Sequence, residues 1–348
     1  MRRLLDTAFK PQLVLLLAAG LLLTIVLREN RFFAFVSGIT MISIMWAAGM
    51  NLLTGFTGLV SLAYAGIAGI SAYITVGLVM RFGWSFWLAM PLAAVGAAAV
   101  GVLLGLPSLR LKGFYFALSS LVIQTVLSLG FVYFVNLTNG DTGISQIPPP
   151  DVPFTSATLR GASFDILLTI AAWLSLVAVW SIVQSPFGRR LIAIREDEVL
   201  AEAIGINVVR NKMLVFFVGS LFAGVGGALY ATYVGFASPR SFDLLSSLSI
   251  WLMVTFGGRG TLMGPVVGAL ILAPVPFMLQ QYDTLKDVIY GALIIAVIVL
   301  MPGGIYGALT RGARSWPALR RSLASRSEEL PRELPQESPQ ESPKGLPQ

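Results

Sequence analysis

The chain has 348 residues, 56% of them hydrophobic and only 12% charged, with a mean hydropathy of +0.80. Soluble domains carry roughly 25% charged residues, so this composition belongs to an all-α, polytopic membrane protein rather than to a soluble enzyme. The net charge is +7, and the absence of histidine and cysteine excludes disulfides, thiol nucleophiles, Ser-His-Asp triads and metal sites built on those side chains.

Residues 1–10 form a short basic cytoplasmic leader, and a first apolar span covers 11–27 without a small-residue cleavage site behind it. A second span runs over 33–53. Residues 54–80 are long enough to cross a bilayer but carry Gly55, Gly58, Gly66 and Gly69, which suits either a broken helix lining a cavity or close small-residue packing. Spans four and five cover 85–106 and 114–135, joined by a basic link with Arg110 and Lys112. The longest link, 136–164, holds TNGDTG and three consecutive prolines; Asn139 and Asp141 there read as a solvated turn or as contacts to an outside partner.

A sixth span occupies 165–183, and the one long charged stretch follows at 185–212. Ser185-Pro186 reads as a helix start and Asp197 as the cap of a second short helix, closed by Gly205 in the left-handed conformation. Leu200, Ala203 and Ile204 make its apolar stripe, offered to something outside the bilayer. The competing reading is an ordinary positive cytoplasmic loop. Spans seven to ten follow at 213–234, 244–256, 264–281 and 288–301, completing a membrane domain over 11–310. Residues 311–348 form a basic segment and then a Pro/Glu/Gln/Ser tail that lacks the apolar surface to order itself.

Ten spans put both termini on one side. All but six of the 24 Lys and Arg (Arg28, Arg31, Arg81, Arg160, Arg240 and Lys286) then fall on that side, which the positive-inside rule makes cytoplasmic. The basic residues sit at membrane edges, with no basic helix interleaved with aromatics, so nucleic acid is not an expected partner. Trp84, Trp87 and Trp316 suit interfacial anchoring. An inverted repeat is suspected: GFTGLVSLAYAG lies in the early half and GGRGTLMGPVVG in the late one, and paired interruptions of this kind point to a translocation path. Polar residues in spans that could line such a path are Asn51, Ser61, Tyr64, Ser119, Ser120, Gln124 and Thr125; polar groups in hydrocarbon also bond neighbouring helices.

Apart from Asp165 at the edge of span six, no acidic or basic residue is expected inside the ten spans, which argues against an autonomous proton-driven carrier. None of the five lysines stands in a phosphate-cradling G-x-x-x-x-G-K-[ST] loop, so the chain has no nucleotide site of that kind. A partner supplying the energy fits this pattern. A passive channel or a sodium-coupled carrier fits it too.

Several stretches occur together and in order: NLLTGFTGLVSLAYAGIAGISAY (51–73), LRLKGFYFALSSL (109–121), LTNGDTGISQIPPP (137–150), SPFGRRLIAIREDEVLAEAIGIN (185–207), FAGVGGALYA (222–231), TFGGRGTLMGPVVGAL (255–270) and MPGGIYG (301–307). In this combination the chain resembles a permease subunit of the high-affinity branched-chain amino acid family of ATP-binding-cassette importers, the longer subunit of the pair. The resemblance implies a multi-pass protein of the bacterial plasma (inner) membrane that does no covalent chemistry and holds no cofactor. It also implies a sister permease, two cytoplasmic ATPase subunits that bind the ATP, and a periplasmic solute-binding protein. Glu202-Ala203 with Gly205 resembles the importers' coupling motif, which assigns ATPase contact to Arg195, Glu196, Asp197, Glu198, Leu200, Glu202, Ala203, Ile204 and Gly205. Where the family often has Ser-Leu-Gly-His, this chain has Ser61-Leu62-Ala63-Tyr64. Urea and short-amide importers share near-identical patterns.

Overall fold

A computed structural model describes residues 16–22, 24, 26–27, 29–111, 113–151, 161–279, 288 and 291–292, all within one compact unit, Met1–Tyr306. The leader, the link 152–160, most of span ten and the tail lie outside the described residues, and with them Trp316, the MPGGIYG stretch and the placement of both termini.

The long helices are α1 (Arg31–Thr54), α2 (Tyr64–Phe82), α3 (Phe86–Gly105), α4 (Phe114–Tyr133), α6 (Ala162–Gln184) and α9 (Val208–Val234). Six described helices are long and apolar enough to cross a membrane. Between them lie α5 (Val135–Thr138), α7 (Pro186–Glu196) and α8 (Glu198–Ala203), and α10 (Leu244–Gly257), α11 (Gly264–Leu272) and α12 (Val275–Met278) follow. Spans eight and nine are therefore not full crossings by single helices. The 14 residues of α10 measure only about 21 Å. The helix of span nine stops after Leu272, where Pro274 and Pro276 remove two backbone donors and α12 starts anew.

The core is built around α1 and α9. From Val36 to Thr54 every residue of α1 is buried, which is why its sequence is apolar all round rather than striped. Helix α9 packs on α1, α2 and α3. Its glycines permit this: a Cβ on Gly224 would stand 2.8 Å from Ala94 Cα, and one on Gly227 would overlap the Ala68 carbonyl of α2. Small residues at such crossings are how membrane helices gain dispersion contact where no hydrophobic drive separates helix from lipid. By contrast, α4 buries only Phe116, Ser120, Gln124 and Phe131, one narrow stripe, and leaves Tyr115, Val122 and Leu129 exposed.

The link after α4 folds back through the left-handed Asn139, whose Nδ2 donates to Gly143 O at 2.8 Å, giving a turn. It then pairs as β1 (Ile144–Ser145) with β2 (Phe236–Ala237), antiparallel, with Ile144 opposite Ala237. This small ladder ties the link to the end of α9. Nearby, the Trp87 indole donates to Asp151 O at 2.6 Å and Trp84 is partly exposed.

Two charged side chains of the long helices, Asp165 and Lys212, are buried against partners on other elements. Asp165 belongs to the first turn of α6, is 6% exposed, and accepts from the Tyr233 hydroxyl of α9 at 2.7 Å. Lys212 is inside α9, because Asn207 caps that helix five residues before the expected start. Span seven is expected to begin after Lys212, but a capped helix continues through a charge once it finds a partner.

Candidate functional site

The charged stretch folds as two short helices leaning on the end of the bundle. Ser185 caps α7, its Oγ accepting from Gly188 N at 3.2 Å, with Pro186 in the first turn. Asp197 caps α8 by accepting from Val199 N and Leu200 N at 2.9 and 3.0 Å. Gly205 has φ +86° and turns the chain toward α9, as its sequence position predicts. Inward-facing Ile194, Ala201 and Val208 form a small core of their own. The opposite side leaves Val199, Leu200 and Ile204 more than 60% exposed, with Glu202 and Ala203 beside them.

Two polar contacts connect these helices to the bundle. Lys212 Nζ donates to Glu198 Oε1 at 2.7 Å, with the lysine side chain only 3% exposed, fixing α8 to α9. Arg195, at the end of α7, sends Nη1 to Gly55 O at 2.6 Å, while its Nη2 meets Glu196 Oε1 at 3.2 Å. Gly55 opens the break between α1 and α2. The break between α10 and α11 lies against it: Asn51 Oδ1 accepts from Gly260 N at 2.9 Å and Asn51 Nδ2 donates to Thr261 O at 2.8 Å. A Cβ on Gly260, whose φ is +73°, would stand 2.6 Å from Arg195 Nη1 and 2.9 Å from Gly55 O. Both glycine-rich interruptions therefore meet at one end of the bundle, with Arg195 between them.

The remaining polar candidates divide. Gln124 is a hub: Oε1 accepts from Gly66 N at 2.8 Å and from Ser247 Oγ at 3.3 Å, and Nε2 donates to Phe242 O at 2.8 Å. Ser120 Oγ accepts from Leu62 N at 2.9 Å, and Ser119 Oγ pairs with Ser108 Oγ at 2.5 Å. Thr125 is exposed and bonds back to Leu121 O. Ser61 Oγ and Tyr64 OH are fully buried without a partner among the described residues, as are Ser71 Oγ and Thr75 Oγ1 of α2 and Ser220 Oγ of α9. The sequence singled out Arg195 and Glu198, and Gly55 as a helix break, but not Lys212, nor Gly260, nor the Asp165–Tyr233 pair. The single available signal was a lysine and an aspartate lying in helical register with apolar runs. Among the described residues no group of three or more metal-ligating side chains gathers.

Residues 32–298 match the profile of the family described as branched-chain amino acid transport system / permease component. The chain belongs to this family. Its relatives include the high-affinity branched-chain amino acid transport permease LivM of Salmonella typhimurium, 31% identical over 292 residues, 78% of this chain and 69% of the relative. LivH of Escherichia coli is 26% identical over 281 residues, 75% and 90% of the two chains. The autoinducer 2 import permease LsrC of an Enterobacter strain is 26% identical over 257 residues, 70% and 71%. No solved structure matches the chain. The family makes this a transport subunit and a multi-pass inner-membrane protein. Its matched region contains both glycine-rich breaks and the α7–α8 segment that joins them.

Proposed function

We propose that the chain is the translocating subunit of an ATP-binding-cassette importer that takes up branched-chain or related amino acids. In this reading a periplasmic binding protein delivers the solute, a sister permease completes the pathway, and two cytoplasmic ATPases dock on Val199, Leu200, Ala203 and Ile204. Nucleotide-driven closure of the ATPases displaces α7 and α8. Arg195 carries that displacement to the α1–α2 break at Gly55 and the α10–α11 break at Gly260, while Lys212 carries it into α9. The breaks are where helices change direction without a continuous ladder of hydrogen bonds, so they yield before the helices bend. The chain's own part is mechanical; the ATP is bound by its partners. The observation that carries the reading is the Arg195 tether, which makes one side chain common to the coupling segment and both breaks.

Co-purification from native membrane tests it. The parental chain should retrieve a nucleotide-binding subunit, and a variant with Leu200→Asp, Ala203→Asp and Ile204→Asp should not. If neither does, while the reconstituted chain alone moves solute, the protein is a self-sufficient channel or carrier and the proposal fails. The second cargo class within the same mechanism is urea, short amides or another small polar solute, and one relative of the chain is named for importing a solute that is not an amino acid, autoinducer 2. Competition of labelled leucine uptake by each of these separates the two.

A further inference from the structure

A cavity of about 490 Å³ opens where α7 meets the start of α9. Arg190 of α7 lines one side, and Asn207, Arg210, Asn211 and Leu214 line the other. No carboxylate lines it. The ion pairs among the described residues join Arg195 to Glu196, Lys212 to Glu198 and Arg240 to Asp141, so Arg190 and Arg210 are left without an acidic partner there. The wall is rigid: Asn207 Oδ1 accepts from Arg210 N at 2.9 Å, and Asn211 Nδ2 donates to Asn207 O at 2.7 Å. The start of α9 adds the partial positive charge of a helix N-terminus, reduced by the Asn207 cap on Arg210 N. Two free guanidiniums and a helix start around one hollow make a receptor for an anion, and guanidinium geometry favours phosphate.

The position of the cavity selects the carrier of that phosphate. Leu214 lies one turn beyond Arg210 on the same face of α9 and is 45% exposed. The 27 residues of α9 measure about 40 Å, against the roughly 30 Å of a hydrocarbon core, so its first turns reach the headgroup layer. Basic pockets at that depth between membrane helices suit lipid headgroups. We propose that this cavity binds the headgroup of an anionic phospholipid. The phosphate sits between Arg190 and Arg210, and an acyl chain descends along Leu214. The bound lipid joins α7 to α9 across the coupling segment and steadies the base from which α8 projects.

The test uses the full-length chain exchanged into bilayers of mixed phosphatidylglycerol and phosphatidylcholine, with co-isolated lipid counted by native mass spectrometry. With two arginines contributing, the expected preference for phosphatidylglycerol is about thirty-fold. Arg190→Gln with Arg210→Gln should abolish it. Arg189→Gln, on the same helix but outside the cavity, should keep it, as should the charge-preserving pair Arg190→Lys with Arg210→Lys. Equal preference in the double glutamine variant overturns the proposal. So does displacement of the lipid by millimolar inorganic phosphate, which would mark a site for a soluble anion. Loss of ATPase retrieval in the double glutamine variant, with lipid preference intact, would make the cavity a protein contact and overturn it equally.

Discussion

Replacing Lys212 by methionine removes the cation that fastens α8 to the membrane helix and leaves Glu198 behind. The ammonium lies 2.7 Å from the carboxylate, with side-chain exposures of 3% and 24%. Removing one partner of a fully buried pair costs roughly 3–5 kcal/mol, because the other charge stays desolvated. Glu198 retains contact with water, so the expected cost here is lower, about 2–3 kcal/mol. That raises the population of the locally opened coupling segment by roughly 30- to 150-fold. Thermolysin reads this directly, since it cuts before Leu200 and Ile204 and needs a locally opened chain. Reconstituted Lys212→Met should be cut at these sites faster by about that factor. Adding Glu198→Gln should recover most of the protection, because removing both charges of a buried pair is close to neutral. A Lys212→Met chain cut at the parental rate, or a double variant cut as fast as the single, would refute the view that this ion pair holds the segment.

Gly260→Ala places a methyl against Arg195 Nη1 in a left-handed backbone conformation, which costs roughly 1–2 kcal/mol before any clash. Solute uptake should fall at least about tenfold while ATPase retrieval stays at the parental level; uptake at the parental rate would dismiss the tether. Gln124→Leu strands Gly66 N and Phe242 O inside the bundle and should destabilise it by about 2 kcal/mol, lowering the Tm in detergent by several degrees. An unchanged Tm would show that Gln124 is not the hub between α2, α4 and the start of α10.

Local features of the coupling segment were legible in the sequence because their causes are local. Ser185, Asp197 and Gly205 act within four residues of themselves, so their identity and spacing suffice. Exposure of Leu200 and Ile204 followed from the stripe, although the helix's buried contact turned out to be Ala201. What joins distant elements was not legible. Arg195 and Gly55 are 140 positions apart, and Asn51 and Thr261 are 210 apart. Periodicity tells which face of a helix is covered but not by which helix. Asn51 illustrates the limit: an asparagine in an apolar run reads equally as path lining or as a clamp, and here both ends of its amide hold the 258–263 break. The expected start of span seven missed the true helix start because Lys212 finds its partner on another element.

Helix α9 is one unbroken rod from the coupling segment to the β1–β2 ladder. Its crossings with α2 and α3 combine glycine contacts with inserted side chains, Phe216 standing against Gly105 of α3. Such a rod resists bending. Asn207 and Lys212 act on it at one end and Tyr233, bonded to Asp165, at the other. A push received at α8 through Lys212 would therefore reach the Tyr233–Asp165 bond along this one element.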